Sequence, residues 1–452
     1  MTSKSFPCTS LLMLFPLSLL SISVHAGIST DCGGSSYCTN KVIDANSEGY
    51  IDKTPVYFLG DSKLTVSASQ AFNNQSGIYE FRGNTNVDVN ASLGLNGGTY
   101  TLRKDSNGNT SDKVVISVNA EDGILDARLV ALEGSNAVVN LNQEGAINGG
   151  NQVFNAGTTL NINASNGIYG SDSLILTDAT LNLNATEAFD STTVSNAASI
   201  KGGSSVNVNA SDAITGGQLN IQDASKVNIN SGGSISGGTL LFTGESELNV
   251  QASSGVTGED TAKQIFQKGT TLNVNALNGI AGGNQILNDA TLNVNATSGI
   301  SGGKQIIAQQ SVMNLNADQA VTGGVISAKG NSTVNAYGDA AIIGGTQVFT
   351  ENSTINAIGH SVIEGGTQSF MDNSILNASG QNVLSGGVQL FSGDSTLNGN
   401  NSGVISGQSQ QVFSGQSVFN VNAEEAMSGG KSTIFKEDSV MNINESRGVV
   451  DG

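Results

Sequence analysis

Residues 271–276 read Thr271-Leu272-Asn273-Val274-Asn275-Ala276, and twenty residues later the chain reads Thr291-Leu292-Asn293-Val294-Asn295-Ala296. Apolar residues alternate with asparagine, and a period of two is the pattern of a half-buried strand. Leu272, Val274 and Ala276 are expected to face inward, with Asn273 and Asn275 in outward columns.

Working outward, the asparagine after the first aliphatic residue serves as a register mark. It falls at Asn140, Asn161, Asn182, Asn207, Asn228, Asn249, Asn273, Asn293, Asn314, Asn335, Asn356, Asn377, Asn398, Asn420 and Asn442. Three earlier, degenerate copies place Thr65, Asp88 and Ser117 at the mark, which makes eighteen units. The commonest spacing is 21 residues and the range is 20 to 25 from Asn140 onward, with one wider step, from Asp88 to Ser117, among the degenerate copies. The residue before the mark and the residue seven after it are apolar in every unit, as at Leu272 and Ile280. A Gly-Gly pair starts nine after the mark in eleven units, including Gly149, Gly216, Gly282, Gly344 and Gly429.

A repeat of this length with two or three short strands is one coil of a parallel β-solenoid. The expected fold is therefore all-β, a right-handed parallel β-helix of about eighteen coils. The hand follows the general crossover rule. Coils stacked at about 4.8 Å would make a rod on the order of 85 Å long. Like residues would then form columns through a narrow core, which has no room for Trp and excludes Pro for want of an N–H. The sequence has no Trp and three Pro. Stacked amides at the mark can donate to and accept from one another. The same columns could instead hydrogen-bond a sugar surface. Gln152, Gln285, Gln305, Gln347, Gln368, Gln389 and Gln410 stand twelve after the mark. They share parity with Phe154, Phe349 and Phe370, and their direction is left open.

Composition narrows the function classes. Of 452 residues, 58 are Gly, 12% are charged and 5% aromatic. Collagen needs far more Gly and Pro, and full disorder is at odds with 37% hydrophobic residues. The formal charge of -19 would repel phosphates, so no nucleic-acid partner is expected.

Met1 to Ala26 reads as a signal peptide: Lys4, an apolar run from Leu11 to Ile22, then Val24-His25-Ala26 at the cleavage position. Residues 27–60 are expected to form an N-terminal cap segment and 61–452 the solenoid. In an oxidising destination Cys32 and Cys38 suit a small disulfide pinning the cap. Two free thiols are the alternative.

The sequence carries no convincing motif for catalysis, a cofactor or a metal, and no site of any of these kinds is expected. Gly60-Asp61-Ser62-Lys63 is similar to the nucleophile block of GDSL esterases. However, Leu64-Thr65-Val66 continues it as the first coil, and Gly393-Asp394-Ser395 occupies the same turn before Asn398. No Gly-x-Ser-x-Gly elbow is present. His360 is the one His left after cleavage, in a loop. Acidic residues gather four or five after the mark, among them Glu121, Asp122, Glu144, Glu187, Asp212, Asp318, Asp339, Glu424 and Glu425. A solvated edge that opposes aggregation is the expected role, with weak cation binding the alternative. Glu259, Asp260 and Lys263 sit in a three-residue insertion.

Gly344-Gly345-Thr346-Gln347-Val348-Phe349 and Gly365-Gly366-Thr367-Gln368-Ser369-Phe370 resemble the Gly-Gly-Thr-Gln repeats of AIDA-type and pertactin-like autotransporter passengers. The resemblance spans about 60–450. It implies a right-handed β-helix displayed on the Gram-negative surface for adhesion or self-aggregation. It also implies an outer-membrane translocator barrel as a partner. No barrel-like run of strands with aromatic girdles is visible, so the expectation is a truncated product or a barrel on a separate chain. The expected function is an exported, non-enzymatic adhesin or autoaggregation factor at the cell surface or secreted, or periplasmic without a translocator. Its partner would be a host-cell or bacterial surface protein or glycan, or another copy of itself. A β-helical polysaccharide lyase or hydrolase is the rival, and an inert passenger the third possibility.

Overall fold

The structure is a computed structural model that describes residues 36–45, 55–67, 70–106, 112–170, 172–190, 197–232, 235–429, 431–444 and 447–450. The expected signal peptide and Cys32 lie outside the described residues. Every regular element described is a strand, and all 43 belong to one sheet wound into a solenoid of about 18 turns.

One coil shows how the sequence is spent. Thr333–Tyr337, Ala340–Ile343 and Thr346–Phe349 are three strands separated by corners at Gly338-Asp339, Gly344-Gly345 and Thr350 to Ser353. Each pairs parallel with its counterpart 21 residues on: Asn335 with Asn356, Ile342 with Ile363, Gln347 with Gln368. The first and third strands alternate between buried and half-exposed residues. The middle strand buries two consecutive residues, Ala341 and Ile342.

The Gly-Gly corner has two distinct requirements. Gly344 has φ +65° and Gly345 φ +73°, a region that L side chains rarely adopt. A Cβ on Gly344 would stand in open space, whereas one on Gly345 would lie 2.6 Å from the Gly323 carbonyl. The second glycine is thus demanded by the coil below as well as by its own φ.

Columns fill the core. Leu272, Leu292, Met313, Val334, Ile355, Leu376, Leu397 and Phe419 follow one another in register, all almost fully buried. Val274 and Val294 are equally buried, while Ala276 is half-buried against the core. The rings of Phe349, Phe370, Phe391, Phe413 and Phe435 stack with centroids 5.1, 4.7, 4.7 and 4.9 Å apart. Such contacts add to plain area burial.

The three-residue insertion is absorbed within the stack. Glu247–Gln267 is one continuous strand whose register shifts between Gly258 and Lys263. At the other end, Val42–Ala45 pairs with Lys63–Val66, and Tyr37–Thr39 with Val56–Leu59. The segment read as a cap thus contributes strands in the solenoid's own register.

Candidate functional site

The mark asparagines form an unbroken ladder. From Asn161 Nδ2 donating to Asn140 Oδ1, each Asn donates to the one before it, through Asn182, Asn207, Asn228, Asn249, Asn273, Asn293, Asn314, Asn335, Asn356, Asn377, Asn398, Asn420 and Asn442. The distances run from 2.7 to 3.0 Å. Asn140 Nδ2 closes the lower end on Ser117 Oγ at 3.3 Å. An amide has two N–H donors and two acceptor sites. The ladder uses one of each, so a rung keeps one donor and one acceptor for whatever lies on this face, except Asn273, whose Nδ2 also donates to Glu247 Oε1 at 3.1 Å.

A second, exposed column runs two residues after the mark. Asn119 donates to Asn90, Asn142 to Asn119, Asn163 to Asn142, Asn184 to Asn163 and Asn209 to Asn184. Further along, Asn295 donates to Asn275 and Asn316 to Asn295, before Tyr337 and Ile358 interrupt the column. Between the columns lie shallow grooves of about 320 and 360 Å³ that share Asn273 and Asn275.

The direction of the glutamine column is resolved as inward. Gln264, Gln285 and Gln305 form one fully buried ladder, and Gln347, Gln368, Gln389 and Gln411 another. Gln152 is also buried. The expected member Gln410 is a correction: it pairs with Val388, and its neighbour Gln411 occupies the column. The step from Asn398 to Asn420 is 22 residues, so a fixed count from the mark slips by one. Gln264 escaped the count for the same reason, being displaced by the insertion. Ile326 separates the two ladders and leaves buried Gln305 Oε1 without a hydrogen-bond partner. A buried Ser or Thr column three before the mark was also missed; Ser204 Oγ, for example, donates to the Lys201 carbonyl at 2.6 Å.

The other candidates disperse. Ser62 is 1% exposed and its Oγ lies 2.7 Å from the Leu59 carbonyl, so it closes a corner, and Ser395 is buried at the equivalent corner. His360 is exposed beside a depression of about 640 Å³ that Glu424 also lines. Asp122, Glu187 and Asp212 belong to one column, but Gly145 and Asn166 separate the first from the second. Tyr169 Oη lies 3.3 Å from Asp122 Oδ1, and burial together with that carboxylate raises the Tyr169 pKa. Glu425 pairs with Arg447. Among the described residues no three His, Cys, Asp or Glu side chains converge as metal ligands would. The side chains of Glu259 and Asp260 lie outside the described residues.

Cys38 is buried and disulfide-bonded. Two coils further on, Glu80 takes ion pairs from Arg82 and Arg103.

Comparison with protein-family models, with curated proteins and with solved structures finds no match to this chain.

Proposed function

We propose that this chain is the exported, surface-displayed passenger of a Gram-negative cell and acts as a non-enzymatic adhesin or autoaggregation factor. The observation that carries the reading is the asparagine ladder, fifteen rungs long, on a half-exposed sheet face. A continuous row of amides with spare donors and acceptors, outside the buried columns of the core, suits a repetitive polar partner. Many weak, regularly spaced contacts sum to strong attachment when they engage together. The net charge of -19 favours a display surface that stays soluble.

The partners in this reading are a translocator barrel on another chain or segment and a protein or glycan of a host or bacterial surface. Self-association between rods is a further route to aggregation. Displayed through a supplied barrel, the rod should raise cell–cell or cell–surface attachment above that of cells carrying the barrel alone. Unchanged attachment across several surfaces, with release of sugar ends from a polysaccharide, would contradict the proposal and support a lyase or hydrolase.

A further inference from the structure

We propose that the groove running from Asn207 to Tyr337 binds an extended, uncharged polysaccharide, with the Tyr337 ring as its stacking platform; the inference rests on the adhesive reading and names its ligand class. Three observations carry it. The first is shape: the two grooves share Asn273 and Asn275, so together they cross seven coils, or roughly 30 Å at about 4.8 Å per coil. That length suits a linear polymer and not a compact metabolite.

The second is chemistry. The lining consists of Asn and Gln amides over buried Val and Leu, with Tyr337 at one end, and no charged side chain lines either groove. Lys226 and Glu247, two residues before Asn228 and Asn249, pair with each other at 3.1 Å, and Glu247 also accepts from Asn273 Nδ2. An uncharged wall in a chain of net charge -19 offers nothing to an acidic polymer and matches a neutral one. Apart from Asn273, whose second N–H is taken by Glu247, the spare N–H and carbonyl of the rungs recur at the coil spacing, comparable with the length of one pyranose unit, whose hydroxyls both donate and accept.

The third is Tyr337. It takes the place of an asparagine in the exposed column, directly after Asn316, and is 39% exposed at the groove's end. Its counterparts Asn275 and Asn295 are satisfied by polar contacts. The exposed part of the ring presents a flat apolar face to the C–H face of a sugar.

The test uses purified mature chain titrated calorimetrically with cellohexaose, xylohexaose and fully N-acetylated chitohexaose, and with hexagalacturonate as the acidic counterpart. At least one neutral oligomer should bind and the acidic one should not. Tyr337→Ala should weaken binding by about tenfold, Tyr337→Phe should retain it, and Val325→Ala, an exposed apolar residue on the third strand, should leave it unchanged. Hydrogen exchange of the coil from Thr333 to Phe349 confirms that Tyr337→Ala is folded. Absence of binding to every neutral oligomer, or binding indifferent to Tyr337→Ala, overturns the inference. If displayed wild type and Tyr337→Ala attach to cells equally, adhesion stands and this site falls. If neither attaches, the adhesive reading falls.

Discussion

Replacing Ile326 by glutamine should be tolerated, although Ile326 is 1% exposed in the middle of the core. An apolar-to-amide change at such a position normally removes about 1.5–3 kcal/mol of burial and adds about 2–7 kcal/mol for an amide without partners. Here the partners are in place. Gln305 lies one coil below and its Oε1 is buried with no partner, while Gln347 lies one coil above. Gln285, Gln305, Gln347, Gln368 and Gln389 also donate to the carbonyl three residues earlier, as Gln305 does to Gly302 and Gln347 to Gly344. Gly323 holds that position for residue 326. The new amide would join the two ladders and relieve Gln305 of a cost of about 1–3 kcal/mol. The net change should fall within about 2 kcal/mol of wild type. Ile300→Gln, in a column between Ile280 and Val321, has no such partners and should cost about 4 kcal/mol or more. Stacked repeats unfold in parts, so the readout is local hydrogen exchange by mass spectrometry over residues 304–349, with melting temperature alongside. Equal losses for the two variants would refute the reasoning.

Four further outcomes follow from the same geometry. Gln368→Ala should destabilise by about 3–6 kcal/mol, because it leaves a cavity and removes the bond to Gln347 Oε1, whereas Asn356→Ala on the half-exposed ladder should cost about 1 kcal/mol since water replaces its bonds; similar urea midpoints would contradict this. Gly344→Ala should cost about 1 kcal/mol of backbone strain, and Gly345→Ala several times that because its Cβ meets backbone, as thermal melts would show. Exported protein alkylated without reduction should carry no label at Cys38 or Cys32, and full labelling of both would exclude the bond. In a chain of these 452 residues, hydrogen exchange should be fast in residues 431–444, where Phe435 and Ile443 are 37% and 39% exposed, and slow from Asn273 to Asn356; equal protection would contradict it.

The fold was legible because columns turn a three-dimensional contact into a one-dimensional repeat. Leu272 and Leu292 occupy equivalent places in their units, and the structure stacks them. The asparagine ladder was legible for the same reason, since the mark itself defines register. Features that count residues across a corner were less so. Gln410 and Gln411 were confused because the corner there is one residue longer, and Gln264 was hidden by an insertion that the strand takes up as a bulge. The inward direction of the glutamines was illegible because a buried amide is costly unless paired, and pairing exists only between coils. Tyr337 gave no signal at all: in one unit an aromatic in an asparagine position looks like drift, and only the groove beside it gives it a role.

The most direct measurement is attachment of cells displaying rods whose charge has been changed on one face at a time. Asn295→Asp with Asn316→Asp places negative charge on the amide face, while Ser327→Asp with Ser369→Asp places the same charge on the outward side of the third strand. At equal display levels, the first pair should reduce attachment several-fold and the second should leave it at the wild-type level. Equal attachment by both variants would contradict the claim that the asparagine face makes the contact.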